Sequence, residues 1–354
     1  MDTSLFKPIK ALEETRLSMS PKDRLNNVRA AAEDLRSQML EGPKVSFYET
    51  FDLIRVPYPT KYGFLNACSV PTPFLHIVNK MFVIQTQTPA GLKTILVSPS
   101  DTVGNAETPF FKRLSPGQGG LSKIAKKFLA PELGGVEASL KELGLTPASI
   151  DFITYDHLHT QDLRKWLGTH GKSGLFPNAK LLVMEQEWES AKALLPPQRD
   201  WYCPGGLEGI EDNKVVKLTT SVMVGDGLAL VHTPGHTEGN HSIVAHTDDG
   251  LLVTSENGIA PDSYAPHLSD IPGLRAYVRD TGMEVVLNGN TLEGGLDQYV
   301  SMILEKTLAG PSHRHPGFFN VVSSSELRSY WGFPGIKPTA SFGKLKFGAL
   351  RKRG

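Results

Sequence analysis

The sequence predicts an α/β protein whose mixed sheets are flanked by helices, and three observations lead there. A helical repeat of apolar residues ends at Gly42, and from about Val45 the period changes to that of strands. Two strand-like runs joined by a tight turn then follow, as in a hairpin. Beyond Ile150 short apolar runs alternate with helical segments, the pattern of sheets covered by helices.

The first helix is announced by Ser20-Pro21-Lys22-Asp23, a capping serine with proline and an acid in the first turn. Leu25, Val28, Ala32, Leu35 and Met39 share one face, which is expected to pack on the body of the same chain, and Gly42 stops the helix. Phe74 to Gln85 and Lys93 to Val97 read as strands around the turn Pro89-Ala90-Gly91. Leu121–Leu129 and Ala138–Leu143 read as helices, the second ended by Gly144. Ile150 to Thr154 is a short buried strand, and Gln161–Leu167 is expected to be helical up to Gly168.

Ala179–Met184 is the next strand, Gln186–Leu195 a helix, and Leu228–His232, Ser242–Ala245, Leu251–Thr254 and Val285–Asn288 further strands. Leu296–Leu308 is an amphipathic helix with Leu296, Val300, Ile303 and Leu304 on the expected buried face. After Gly310 the chain is rich in Pro, Gly and Ser. The domain reading is an N-terminal helical extension over 1–44, a main domain over 45–310 and a C-terminal extension over 311–354. The basic stretch from Lys344 to Arg353 is expected to be a solvated terminus.

Composition narrows the function classes. Lys+Arg and Asp+Glu both number 37 in 354 residues, so no global field draws the chain to nucleic acid or to an acidic membrane. Cys68 and Cys203 are too few for a disulfide framework and lack metal-binding spacing. The N-terminus has no apolar signal region, and no run approaches the length of a membrane span. The expectation is a cytoplasmic monomer or homodimer that acts on a small molecule.

The chemistry concentrates in Asp156-His157-Leu158-His159-Thr160-Gln161-Asp162 and Thr233-Pro234-Gly235-His236-Thr237. In extended backbone, side chains two apart point the same way, so His157 and His159 can converge on one ion. His236 follows a rigid turn able to aim an imidazole back at that pair. Three imidazoles plus water suit zinc. With 11 histidines some close spacings arise by chance, and His170, His246, His267, His313 and His315 have no ligand-like context. His232 and His241 are expected to be structural, and Tyr155 to pack in the core.

Leu143 to Thr154, the His-x-His pair, Phe176-Pro-Asn-Ala-Lys180 and Leu230 to Thr237 occur in that order. In this order and spacing the chain resembles the metallo-β-lactamase superfamily, closest to its lactonase- and hydrolase-like branch. The resemblance covers roughly residues 45–310. It implies an αβ/βα sandwich with the site at one edge, between the sheets, and places His157, His159 and His236 on the three histidines of the family's first metal site. The remaining positions depart from the pattern. Gln161 and Asp162 stand where the family has Asp and His, Glu256 stands for the bridging aspartate, and Asn290 stands for the last histidine. Asp101 would replace an early family acid only after a backbone shift.

The resemblance therefore implies one or two divalent ions, held by His157, His159, His236 and Glu256, with Asp162, Gln161 and Asn290 around a second position. Zinc is the first expectation. An oxygen-rich second position would suit manganese or iron better, and a single firmly held ion is the preferred reading. Asp162 is either a ligand, the base that orients a water, or an acid at a helix N-terminus.

The expected function is a metal-dependent hydrolase in which a metal-bound hydroxide attacks an ester or lactone, with Asp162 or Glu256 handling the proton. Phe110, Phe111, Trp201, Tyr202 and Tyr264 are expected around the substrate. One alternative is an iron oxidoreductase or oxygenase using His157, His236 and Glu256. The other is a catalytically weak descendant that binds a small molecule.

Overall fold

The computed structural model describes residues 5–114, 128–289, 294–331 and 335–352. Helix α1 (Pro21–Glu41) begins at Ser20, whose side chain accepts a hydrogen bond from the Asp23 amide, and ends at Gly42. Next come β1 (Phe47–Pro59), β2 (Phe74–Thr88), β3 (Gly91–Val97), α2 (Val136–Leu143), β4 (Phe152–Thr154) and β5 (Lys180–Met184). Helix α3 (Glu185–Lys192) and β6 (Val215–Leu218) precede four further strands, β7 (Val222–Gly225), β8 (Leu228–His232), β9 (His241–Thr247) and β10 (Gly250–Thr254). Helices α4 (Leu274–Thr281) and α5 (Gly295–Ala309) and the short strands β11 (Ser325–Leu327) and β12 (Lys346–Gly348) complete the described elements used below.

The strands form two main sheets. The eight-stranded sheet runs β12-β1-β2-β3-β4-β5-β6, with β11 paired to β2. It is antiparallel as far as β3 and parallel from β3 to β6. The five-stranded sheet is antiparallel and places the two-residue strand Lys7–Pro8 beside β7-β8-β9-β10.

Alternation along each strand assembles the layers. Leu182 and Met184 of β5 and Leu228 and Leu230 of β8 enter one core between the sheets. Their neighbours Leu181 and Val183 face outward into the core that α2, α3 and α4 also enter. On the other sheet Ala229, Val231, Leu251 and Val253 face outward onto α1 and α5. Both sheets are thus covered on both faces, which explains why several strands read as continuous apolar runs. The result is the αβ/βα sandwich that the resemblance implies.

Several sequence expectations need correction. Val285–Asn288 is buried but is no strand, because the amides of Val286, Asn288 and Gly289 donate to the carbonyls of Ser263 and Tyr62 in short helical turns and of Asn257 in a loop. Leu296 is 54% exposed, since it sits in the first turn of α5, which projects beyond the core up to Gln298. The helix expected from Gln161 forms only over Arg164–Leu167. Thr160 sits at φ 64°, and the amides of Asp162 and Leu163 donate to Asn105 Oδ1 and the Gly206 carbonyl. The helix expected at Leu121–Leu129 lies outside the described residues except for Phe128 and Leu129, which are helical.

Residues beyond Gly310 do more than extend the chain. β11 pairs with β2 and β12 with β1, so part of the stretch expected as a solvated terminus lies in the large sheet. The fully buried Lys80 on β2 locks this segment, with Nζ 2.8 Å from Asp52, 3.3 Å from Glu326 and 2.9 Å from the Gly343 carbonyl. Among the described residues no helix is long and apolar enough to cross a membrane.

Leu182, fully buried between the sheets, tests this layering. Leu182→Ala should lower the unfolding free energy by about 2–5 kcal/mol in urea denaturation, the cost of an unfilled core cavity. A loss well under that range would show that the sheets do not close over this side chain.

Candidate metal centre

Strand ends deliver the three histidines. β4 lies between β3 and β5, and the chain leaves it through Tyr155 and Asp156 to reach His157 and His159. The Asp156 carbonyl accepts from the His241 amide, tying this turn to the start of β9 on the other sheet. Thr160 then takes a left-handed conformation, φ 64°, which is strained for a β-branched residue. Its amide donates to the Trp201 carbonyl. β8 leads into Thr233-Pro234-Gly235, and Gly235 (φ 153°) presses so closely on Gln298 of α5 that a Cβ would lie 2.2 Å from its Cα. That contact fixes the turn that carries His236.

The imidazoles of His157, His159 and His236 form a near-equilateral triangle. Their ring centroids are 4.8, 4.6 and 4.9 Å apart, and each has a nitrogen within 4.8 Å of the others. All three rings are buried. His159 Nδ1 and His236 Nε2 are 3.2 Å apart, while His236 Nδ1 lies 3.1 Å from the Asn288 carbonyl. With its Nδ1 proton on that carbonyl, His236 turns a lone pair on Nε2 toward the cluster. The His236 amide donates to Asn257 Oδ1 at 3.0 Å.

Electrostatics sorts the three rings. Burial, with the charge of His157 beside it, holds His159 well below the usual imidazole range and takes His236 down to about 3. Burial also opposes charge on His157, but Asp156 outweighs it by charge and hydrogen bond, with Glu256 and Glu187 beyond, and holds this ring up at about 9. Asp156 Oδ2 is 3.3 Å from His157 Nδ1. A divalent ion would take over the positive charge that the His157 proton supplies, since imidazole ligands bind deprotonated. Three buried, closely grouped imidazoles, two of them kept neutral, fit a metal ion.

A second group overlaps the first. Asp156, His157 and Glu256 each offer an atom within 4.8 Å of the others. Ser324 Oγ lies 2.9 Å from Asp156 Oδ2 and 3.2 Å from Glu256 Oε2. Burial and the neighbouring Asp156 charge push the Glu256 carboxyl up to about 7, against the opposing effects of His157, Ser325 and Ser324. Burial acts the same way on Asp156, but His157, Ser324 and His241 more than compensate and leave it low.

The other expected site residues sit elsewhere. Asp162 is held by Arg164, whose Nε and Nη2 donate to its two carboxylate oxygens at 2.9 and 2.6 Å. It belongs neither to a continuing helix nor to either group of close donors. Gln161 lines the cavity, and its Oε1 accepts from Asn105 Nδ2 at 3.1 Å. Asn290 lies outside the described residues. Asp101 accepts from the Val103 amide and caps a short helical turn. Of the expected aromatics, Phe110, Phe111 and Trp201 line the cavity. Tyr202 packs edge-on against His159, and Tyr264 is buried with its hydroxyl donating to Glu305. His241 is buried and stands 3.0 Å from Thr154 Oγ1, and Tyr155 packs in the core.

Sequence reasoning missed three participants. Asp156 carried a signal, an acid directly before His157. Ser324 carried none, because it belongs to the segment set aside as an extension. Glu187 reads as an ordinary helical acid, yet it is fully buried and accepts from the Leu158 amide at 2.7 Å and Thr237 Oγ1 at 2.6 Å.

Comparison with known proteins agrees with this geometry. No family model matches the chain. The N-acyl homoserine lactonase AttM of Rhizobium radiobacter is 28% identical over 181 residues, covering 46% of this chain and 61% of that protein. The AttM lactonase of Azorhizobium caulinodans is 30% identical over 159 residues, covering 42% and 55%. The matches therefore span less than two thirds of these relatives. A probable metal-dependent hydrolase from Staphylococcus aureus shares the fold at a TM-score of 0.51 and 12% identity, over 84% of this chain and 96% of that one. With its three histidines grouped at the edge of this sandwich, the chain resembles N-acyl homoserine lactonases over less than half its length and shares its fold with a probable metal-dependent hydrolase.

Proposed function

We propose that the chain is a metal-dependent hydrolase that opens the ester of a small lactone, in the manner of the N-acyl homoserine lactonases it is related to. The observation that carries this reading is the triangle of buried imidazoles, of which His157 and His159 reach a cavity of about 530 Å³. His157, His159 and His236 would hold the ion, with the carboxylates of Asp156 and Glu256 grouped beside His157. A divalent ion such as zinc supplies there the polarisation of a carbonyl and the acidification of water.

The protein's own residues supply the rest. Ile54, Val56, Phe110, Phe111 and Leu129 give the cavity an apolar wall suited to an acyl or alkyl group. Trp201 stacks on Phe110 at 4.3 Å between centroids and closes the wall near His159. Asn105 and Gln161 add polar groups beside the histidines. Such a lining suits a substrate with one polar head and an apolar remainder. Glu256, raised toward neutrality and held by Ser324, is placed to accept a proton and return it to the leaving alkoxide. One firmly held ion is the simpler complement, because Asp162 is committed to Arg164.

Metal analysis of protein purified without added metal should find about one equivalent of a divalent ion. The double variant His157→Ala/His236→Ala should contain almost none, and unchanged metal content in that variant would refute the centre. Stoichiometric iron with a visible absorption band would replace the hydrolase reading by an oxidoreductase one.

Against a panel of acyl lactones and aryl esters, turnover should disappear on chelation and return with zinc. Glu256→Gln should retain the metal while kcat falls by about 10²- to 10⁴-fold, the usual contribution of a positioned proton carrier. A fully active E256Q would remove Glu256 from the reaction.

A further inference from the structure

The two metal-binding turns come from different sheets, and the backbone bond from the His241 amide to the Asp156 carbonyl ties the first of them to β9 rather than to the His236 turn. The His157–His159 turn follows β4 of the large sheet, and the His236 turn follows β8 of the small one. Both meet at one side chain. Glu187 Oε1 accepts from the Leu158 amide at 2.7 Å, between the first two histidines. Its Oε2 accepts from Thr237 Oγ1 at 2.6 Å, directly after the third. Oε1 also accepts from the Tyr202 hydroxyl at 3.3 Å, and the Tyr202 ring packs edge-on to His159 with centroids 4.8 Å apart.

The approach is close in the backbone as well. A Cβ on Gly239 would lie 2.1 Å from the Glu187 nitrogen, so the chain beyond His236 rests directly on the start of α3. These donors are neutral, one amide and two hydroxyls, and the carboxylate has no exposed surface. A buried carboxylate is costly without full hydrogen bonding, and here that bonding is spent on segments that carry the histidines.

We propose that Glu187 is a positioning residue that clamps the His157–His159 turn, the His236 turn and the Tyr202 loop into a preformed metal site. This rests on the metal-centre reading above and adds to it the source of the site's geometry. Glu187 touches neither substrate nor ion in this role. It acts through Leu158, Thr237 and Tyr202, by removing the freedom of each turn before the ion arrives.

The test uses the full chain and Glu187→Ala. Zinc affinity is read by chelator competition, ligand geometry by the visible spectrum of the cobalt(II) form, and folding by the melting of chelator-treated protein. E187A should bind zinc about 10- to 100-fold more weakly, as when outer hydrogen-bond partners of metal ligands are lost, and its cobalt spectrum should change. E187Q, which keeps the length and one acceptor oxygen, should recover most of the affinity. Wild-type affinity and spectrum in folded E187A overturn the assignment.

If E187A does not fold, Thr237→Val removes one arm of the clamp while leaving the carboxylate and two other donors. Unchanged affinity and spectrum in T237V would likewise overturn it. His157→Ala separates the two readings. Loss of zinc in H157A with retention in E187A leaves the metal centre standing and removes Glu187 from it, whereas a wild-type chain that takes up neither zinc nor cobalt removes both.

Discussion

Three imidazoles packed together out of water are not stable company by themselves. Each ring nitrogen is a strong hydrogen-bonding group, and an unmatched one inside a protein costs more than most single contacts return. The surroundings of His157, His159 and His236 answer that constraint. Asp156 faces Nδ1 of His157, the Asn288 carbonyl faces Nδ1 of His236, and Asn257 holds the His236 amide. Asn257 is held in turn by Glu305 of α5, 2.7 Å away, and Gln298 of the same helix donates to the Asn288 carbonyl. The site is thus supported from the outer helix layer through the small sheet.

The same dependence explains the sandwich. Two covered sheets, each with apolar side chains on both faces, leave the strand ends and their loops as the place where polar groups can gather. β4 and β8 end at one edge, so turns far apart in sequence meet there. The C-terminal segment reaches that edge too. β11 is tied down by the buried Lys80–Glu326 contact, and the neighbouring Ser324 bridges Asp156 and Glu256. Loosening this segment would therefore disturb the carboxylates beside the histidines as well as the sheet margin.

Sequence patterns that rest on local rules were legible to within a few residues. The Ser20 cap, the hairpin of β2 and β3, and strands such as Leu228–His232 follow from capping, alternation and turn chemistry. The failures share one cause. Val285–Asn288 has strand composition, but its amides found carbonyls of short helical turns and a loop rather than a neighbouring strand. Gln161 and Asp162 looked like a first helical turn, but the distant Asn105 and the adjacent Arg164 captured their polar groups.

The sequence by itself marked a candidate metal site and the three histidines that would build it, because His-x-His spacing and a Pro-Gly-His turn are local chemistry. It also determined the sandwich, through strand and helix periods and the order of the motifs. Only the tertiary structure decided what surrounds the histidines. Asp156 and Glu256 became neighbours through Ser324, Asp162 was withdrawn by Arg164, and Glu187 became the meeting point of two turns. The reason is physical: a carboxylate's role depends on which donors reach it and how much water is excluded, and for Asp156, Glu256 and Glu187 those donors come from residues distant in the chain.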